Sequence, residues 1–196
     1  MLKASIDLGT NTCLMLMAEV ESGHVKKVLG DNARIIRLGE RVDRTGLLQS
    51  EAITRALRCL DEYRKLITNA GMSPCDVICV ATSQARDAEN GAEFFSRLEA
   101  ELGFRFRVIS GKEEARLSFM GSLLPGMEPS NHTVVDIGGG STEFVTAKDD
   151  RSIDLGSVRF TERYLKSDPV SDEEFNICLN EIDNKLAELV DWRIST

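Results

Sequence analysis

Hydrophobic and polar residues alternate at the start of the chain and predict three antiparallel strands. The first strand covers about residues 3–8, and the glycine turn after it leads into a second strand over about 12–20. A turn at 21–23 then leads to a third strand over roughly 25–36. In the second strand the predicted apolar face consists of Leu14, Leu16, Ala18 and Val20.

The middle of the chain alternates between helical periodicity and short apolar runs. Ser50 is the predicted N-cap of a helix that Gly71 ends. Two further helices are predicted over 87–102 and 111–124, and two strands over 77–81 and 104–109. This order of elements after a meander predicts an α/β domain over residues 1–124.

The opening pattern recurs after residues 125–130, which contain two prolines and a glycine and form the best linker candidate. Strands are predicted over 133–137, 141–147 and 151–155, and helices over 157–165 and 171–190. The chain thus begins the same construction twice. We therefore expect a second α/β domain over residues 125–196, and we expect it to be incomplete.

Composition narrows the classes of function without choosing one. With 42% hydrophobic and 29% charged residues the chain is globular, and its net charge of −8 disfavours non-specific nucleic-acid binding. No apolar run reaches the roughly 18 residues of a membrane span, and residues 1–8 lack the features of a signal peptide. Five cysteines without paired spacing and two histidines argue against disulfides and zinc, and favour the cytoplasm.

Two glycine turns carry the candidate chemistry. Each follows an aspartate at a strand end and precedes hydroxyl side chains: Asp7-Leu8-Gly9-Thr10-Asn11-Thr12 and Asp136-Ile137-Gly138-Gly139-Gly140-Ser141-Thr142-Glu143. Glycine lets backbone N–H groups approach a phosphate closely, and hydroxyls add donors. Carboxylates repel phosphate but suit magnesium or a nucleophilic water. The first turn alone is compatible with an ordinary hairpin, but the pair predicts a phosphate site built from two loops.

The two turns resemble those of the actin, sugar-kinase and heat-shock ATPase superfamily, and further motifs resemble its Ppx/GppA branch. These motifs stand in that branch's order at residues 37–40 (RLGE), 81–86 (ATSQAR), 109–116 (ISGKEEAR) and 155–158 (LGSV). The resemblance implies a ribonuclease H-like, actin-type α/β fold with a mixed sheet flanked by helices, duplicated along the chain. It also implies hydrolysis of the terminal phosphate of polyphosphate or of guanosine pentaphosphate, with Mg²⁺ or another divalent cation.

Roles for individual residues follow from the same resemblance. Glu114 is implied as the general base that activates water, Arg86 as a phosphate ligand, and Asp136 as a third catalytic residue. The implied metal-associated carboxylates are Asp136, Glu143 and Asp7. The implied phosphate-binding residues, placed around a terminal phosphate between the two loops, are Gly9, Thr10, Asn11, Thr12, Gly138, Gly139, Gly140 and Ser141.

Simpler interpretations stand beside these roles. The spacing of Ser110 and Glu113 is that of a capping box, which leaves Glu114 about 100° further around the helix. Glu114 can equally be a charge that the helix dipole favours. Arg86 can be a surface arginine, although a cation at a helix start opposes the dipole.

Two departures from the family pattern and two rival functions complete the expectations. Thr10 and Thr12 stand where the family has serines, and family members are longer, so we expect a fragment, a truncated product or one part of an assembly. The rivals are a phosphotransferase and a non-catalytic module that senses polyphosphate or an alarmone. The expected partner is a second copy in a homodimer, with no nucleic acid or membrane.

Overall fold

The computed structural model describes residues 1–189 and residue 192, and the chain forms two compact units. The first unit comprises Met1–Ile109, and the second begins at Ser110. Within the described residues no helix is long and apolar enough to cross a bilayer. All five cysteines carry free thiols.

A five-stranded mixed sheet forms the centre of the first unit. Its strands are β1 (Leu2–Leu8), β2 (Thr12–Glu21), β3 (His24–Ile35), β4 (Ile78–Ala81) and β5 (Phe106–Val108). They lie in the order β3-β2-β1-β4-β5, with β1, β2 and β3 antiparallel and β4 and β5 parallel to β1. The predicted meander and the α/β class are therefore confirmed.

The helices of the first unit are α1 (Val42–Thr45), α2 (Ser50–Asn69), α3 (Ser83–Asp87) and α4 (Gly91–Leu102), with a 3-10 turn at Pro74–Asp76. Ser50 is the first residue of α2, and Gln49 holds the cap position without a side-chain bond, so the predicted cap is wrong. The predicted 87–102 helix is interrupted before α4. Asn90 bonds both the N–H and the carbonyl of Leu48, at 2.8 and 3.0 Å, and so ties an earlier loop to this break.

One face of the first sheet forms the core with α2 and α4. The predicted apolar face of β2 is wrong for its first part: Cys13, Met15 and Met17 are buried, whereas Leu14 and Leu16 are 44% and 38% exposed. Ala18, which follows a shift in register after Met17, is buried as predicted. Both faces of β2 carry apolar residues, so alternation could not identify the inner one. Tyr63 of α2 packs on the odd-numbered face and donates its hydroxyl to the Cys13 carbonyl at 2.9 Å.

The second unit begins with a helix that packs on its own sheet. Its elements are α5 (Gly111–Ser122), β6 (Thr133–Ile137), β7 (Thr142–Thr146), β8 (Asp150–Ile153), α6 (Ser157–Tyr164) and α7 (Asp172–Ala187), with a 3-10 turn at Pro129–Asn131. The strands are antiparallel in the order β6-β7-β8. The predicted end of the last helix at residue 190 lies outside the described residues.

The division between the units differs from the predicted boundary at residue 124. Ala115 and Phe119 of α5 form a small core with Val145 of β7, so α5 belongs with the strands that follow it. The 125–130 segment is consequently a loop inside the second unit. The residues on either side of the division are each held by hydrogen bonds within their own unit. Ile109 donates its N–H to the Ala81 carbonyl, and the Ser110 side chain caps α5.

Candidate active site

The first glycine turn joins β1 to β2 and is closed by its own backbone. The Gly9 N–H donates to the Thr12 carbonyl at 3.0 Å, and the Thr10 carbonyl accepts from the Gly39 N–H at 2.8 Å. In a trans peptide the carbonyl and the next N–H point in opposite directions. Because Gly39 holds the Thr10 carbonyl, the N–H of Asn11 points away from the Gly39 segment.

The second glycine turn, between β6 and β7, repeats this arrangement. The Gly138 N–H donates to the Ser141 carbonyl at 2.9 Å. The first N–H groups of α6 hold the turn. The Ser157 N–H donates to the Gly138 carbonyl at 3.0 Å, and the Val158 N–H donates to the Gly139 carbonyl at 2.9 Å. The N–H groups of Gly139 and Gly140 share peptide bonds with these two carbonyls and therefore point away from α6. This is the orientation needed to bind an anion.

Four glycines occupy matching positions in the two units, and a Cβ at each would be crowded, most severely at Gly156, where it would meet backbone atoms. A Cβ on Gly9 or Gly138 would lie 3.1 Å from the carbonyl oxygen of Thr12 or Ser141. A Cβ on Gly39 would lie 2.4 Å from Thr10 Cγ2, and one on Gly156 would lie 2.3 Å from the Gly140 carbonyl carbon. The RLGE and LGSV motifs thus hold the two turns, a role that sequence reasoning missed.

The N–H groups of Gly139 and Gly140 have no acceptor among residues 1–189. Neither glycine has a positive φ, so a left-handed conformation does not account for these residues. Ser141 is only 3% exposed. In the second turn the backbone, more than the hydroxyl, is therefore available to a phosphate.

Three carboxylates lie close together in the second unit. Asp136 and Glu143 are directly opposite each other on β6 and β7, a placement in which like charges destabilise a sheet. Ser118 of α5 donates its hydroxyl to Asp136 Oδ2 at 2.5 Å. Glu114 precedes Ser118 by one helical turn, so both lie on the same side of α5.

Glu143 is the carboxylate most altered by its surroundings. It is 1% exposed, and Ser152 donates a hydroxyl to its Oε1 at 2.7 Å. Burial raises its pKa, the bond from Ser152 opposes that rise, and the negative charges of Glu114 and Asp136 add to it. A cation or a proton near this group would relieve the repulsion.

The helix that carries Glu114 begins as predicted. Ser110 is the N-cap of α5, and its hydroxyl accepts the Glu113 N–H at 3.2 Å. Glu113 therefore lies in the capping position and Glu114 on the adjacent face of the helix. The role of Glu114 as a base stays a prediction.

Arg86 and Asp7 lie in the first unit. Arg86 is in the last turn of α3, where the dipole favours a cation, so the argument that placed it at a helix start is wrong. Its Nη1 donates to the Ile109 carbonyl at 2.7 Å. Asp7 is the next-to-last residue of β1, opposite Leu14, and its Oδ1 is shielded from solvent. Their proposed contacts with phosphate and metal remain predictions.

The carboxylates suit a divalent cation held largely through water. Within residues 1–189, no group of three or more His, Cys, Asp or Glu side chains is placed to hold a metal directly. Mg²⁺ commonly binds through one or two carboxylates together with waters and substrate phosphates. The paired Asp136 and buried Glu143, with their like charges, fit that requirement.

We expect Glu143→Gln to stabilise the protein at neutral pH in the presence of a chelator. Because the folded-state pKa of Glu143 is raised, its contribution to stability is fully present below the unfolded-state pKa and is lost as the pH rises through the folded-state value. Glutamine does not ionise, so the variant avoids this loss of stability, and its side-chain oxygen can still accept the hydrogen bond from the Ser152 hydroxyl. Between pH 4 and pH 8, the melting temperature of the variant should increase relative to that of the parent as the pH rises.

Glu174→Gln is the matched control with the opposite sign. Hydrogen bonds, the largest from the Ser167 hydroxyl, lower the pKa of Glu174 to about 2. Its stabilising effect is therefore present above the unfolded-state pKa and lost as the pH falls towards 2. This variant should have a lower melting temperature than the parent at pH 7. A lower melting temperature for Glu143→Gln as well would contradict the raised pKa of Glu143.

With this geometry established, comparison with known proteins identifies the family. Residues 16–193 match the model of the Ppx/GppA phosphatase family. The chain belongs to that family. It is 41% identical over 184 residues to exopolyphosphatase 2 of Mycobacterium tuberculosis, covering 87% of this chain and 57% of the relative. It is 33% identical over 180 residues to guanosine-5'-triphosphate,3'-diphosphate pyrophosphatase of Pseudoalteromonas atlantica, covering 89% of this chain and 35% of the relative.

A solved exopolyphosphatase structure has the same fold. The chain superposes on an exopolyphosphatase from Cytophaga hutchinsonii with a TM-score of 0.86 and 27% identity, over 98% of this chain and 64% of that one. The chain therefore spans between about a third and two thirds of the length of these relatives. The family suggested by the motif order is confirmed.

Proposed function

We propose that this chain forms the phosphate-binding and water-activating part of a phosphoanhydride hydrolase. The proposed reaction releases the terminal phosphate of inorganic polyphosphate or the 5'-γ phosphate of guanosine pentaphosphate. The observation that carries the proposal is the second glycine turn, whose outward N–H groups accompany three carboxylates in one unit. Two relatives are named for these two activities.

Backbone N–H groups supply the proposed electrostatic stabilisation. Those of Gly139 and Gly140 would bind the oxygens of the transferred phosphoryl group, and Asn11 of the first turn would supply another donor. Donors that are oriented before the reaction cost no reorganisation in the transition state. Arg86 would add a guanidinium, if substrate competes with its bond to the Ile109 carbonyl.

Glu114 is the proposed general base. Its carboxylate would take a proton from water as the water oxygen attacks phosphorus in line with the departing phosphate oxygen. Ser118 would hold Asp136 at a fixed orientation, through the 2.5 Å bond, to position that water. Asp136, Glu143 and Asp7 would hold a magnesium ion through water, and the ion would neutralise charge on the phosphate oxygens.

Phosphate release by the purified 196-residue chain tests the proposal. We expect turnover of long-chain polyphosphate, guanosine pentaphosphate or both with Mg²⁺, and none with a chelator. Turnover that requires ADP as acceptor would instead indicate a phosphotransferase. Tight binding of both substrates without phosphate release would indicate a non-catalytic binding module. The cytoplasmic location and the homodimer belong to this proposal and need fractionation and sedimentation measurements.

A further inference from the structure

Arg159 is a buried cation in an unfavourable place. It lies in the first turn of α6 and is only 7% exposed. A positive charge near a helix N-terminus opposes the dipole, and burial adds a desolvation cost. Such a residue needs strong acceptors around it, and their identity indicates what it does.

The acceptors of Arg159 include two consecutive glycine carbonyls of the second turn. Its backbone N–H donates to Gly139 at 3.1 Å, and its side-chain Nε donates to Gly140 at 2.8 Å. The other side of the guanidinium approaches Asp154 Oδ1 at 3.7 Å. Arg159 therefore holds two neighbouring peptide groups in one orientation.

That orientation determines where the next N–H groups point. With the Gly140 carbonyl held by Arg159, the Ser141 N–H points away from α6, as do the N–H groups of Gly139 and Gly140. A peptide that follows a glycine rotates more easily than others, because that residue has no side chain to restrict its backbone. Without the guanidinium, the Gly140–Ser141 peptide could turn its carbonyl towards the anion.

The first turn lacks a corresponding side-chain contact among the described residues. Its Thr10 and Asn11 carbonyls are held by backbone N–H groups of residues 36–39. Those turn residues also carry side chains, and Thr10 is itself buried. The second turn is also held by backbone N–H groups, but its three glycines carry no side chains, which explains why a side-chain clamp is on this side.

We propose that Arg159 is a positioning residue that keeps the second glycine turn in its anion-binding orientation. This inference rests on the proposed function for the substrate class, but the orientation of the turn can be measured without turnover. Arg159 acts through the backbone of Gly140 and does not itself touch the substrate.

Arg159→Lys tests the role in the full chain. Lysine keeps the charge but cannot present a planar Nε–H to the Gly140 carbonyl. We expect kcat to fall about 100-fold, the effect of losing one oriented donor, and KM to rise about tenfold, because the same N–H groups bind the substrate phosphate. In Arg159→Ala, added methylguanidine should restore part of kcat. Arg163→Lys, on the exposed next turn of α6, is the matched control and should leave kcat unchanged.

Two measurements keep the test independent of catalysis. The amide resonances of Gly140 and Ser141 in ¹⁵N spectra should shift or broaden in Arg159→Lys and stay in place in Arg163→Lys. Calorimetric affinity for tripolyphosphate should weaken about tenfold in Arg159→Lys only. Unchanged amide resonances, or a lowered melting temperature with parental kcat, would overturn the positioning role. If the parent binds tripolyphosphate but turns over neither long-chain polyphosphate nor guanosine pentaphosphate, the proposed hydrolysis fails, while the amide resonances and the tripolyphosphate affinity still decide this inference.

Discussion

Glu114→Gln is expected to lower kcat for phosphate release about 10³-fold, within the range for loss of a general base. Glutamine has nearly the same shape but cannot accept a proton from water. KM should change little, because the glycine-turn N–H groups that bind phosphate are intact. The melting temperature should not fall, since the substitution removes a negative charge that acts on the buried Glu143. Phosphate release from a saturating substrate measures the loss.

Glu113→Gln is the control for that experiment. Glu113 stands on the same helical turn, and its backbone N–H donates to the Ser110 hydroxyl, a bond that the substitution of its side chain retains. We expect parental kcat. Phosphate release by Glu114→Gln at the parental rate would exclude Glu114 as the base and would make Asp136 the next residue to examine.

The two glycine turns were predictable from sequence because their chemistry is local. A strand, an aspartate, a glycine and a hydroxyl are adjacent along the chain, and both turns form where that order predicts them. The same locality explains the Ser110 cap on α5. These features depend on residues within a few positions of one another.

Features that depend on distant packing were not predictable. The periodicity of α5 shows that it is a helix but not that Ala115 and Phe119 pack on β7, which moved the boundary between the units to residue 109. The inner face of β2 depended on where α2 lies. From the sequence alone, Arg159 in the first turn of α6 would be assigned to the surface. Only its hydrogen bond to the Gly140 carbonyl shows that it holds the turn.

The roles of Gly39 and Gly156 were hidden for a related reason. Each contacts a turn that lies 16 to 29 residues earlier, so neither can be understood from its neighbours in the sequence. What sequence does contain is a Leu-Gly pair in each half, at positions 38–39 and 155–156. Comparison of the two halves with each other, and not only with a family, would have suggested a shared role.

Gly156→Ala is expected to destabilise the second unit and to abolish the function of its glycine turn. The added methyl would lie 2.3 Å from the Gly140 carbonyl carbon and 2.4 Å from the Gly139 carbonyl oxygen. Backbone atoms cannot move aside as a flexible side chain does, so the cost should reach roughly 3 kcal/mol, the upper end for overpacking. For a chain of this size, that corresponds to a melting temperature lower by about 6–12 °C.

Two other glycines set the scale for that effect. Gly121 of α5 has nothing within 4 Å of its Cβ position, so Gly121→Ala should raise the melting temperature through helix propensity. Gly39→Ala should be intermediate, because its methyl would meet the side chains of Thr10 and Gln84, which can shift partly. Calorimetry should therefore give the lowest melting temperature for Gly156→Ala, an intermediate one for Gly39→Ala and the highest for Gly121→Ala. If Gly156→Ala melts with the parent and binds tripolyphosphate normally, α6 does not hold the turn in the way its hydrogen bonds indicate.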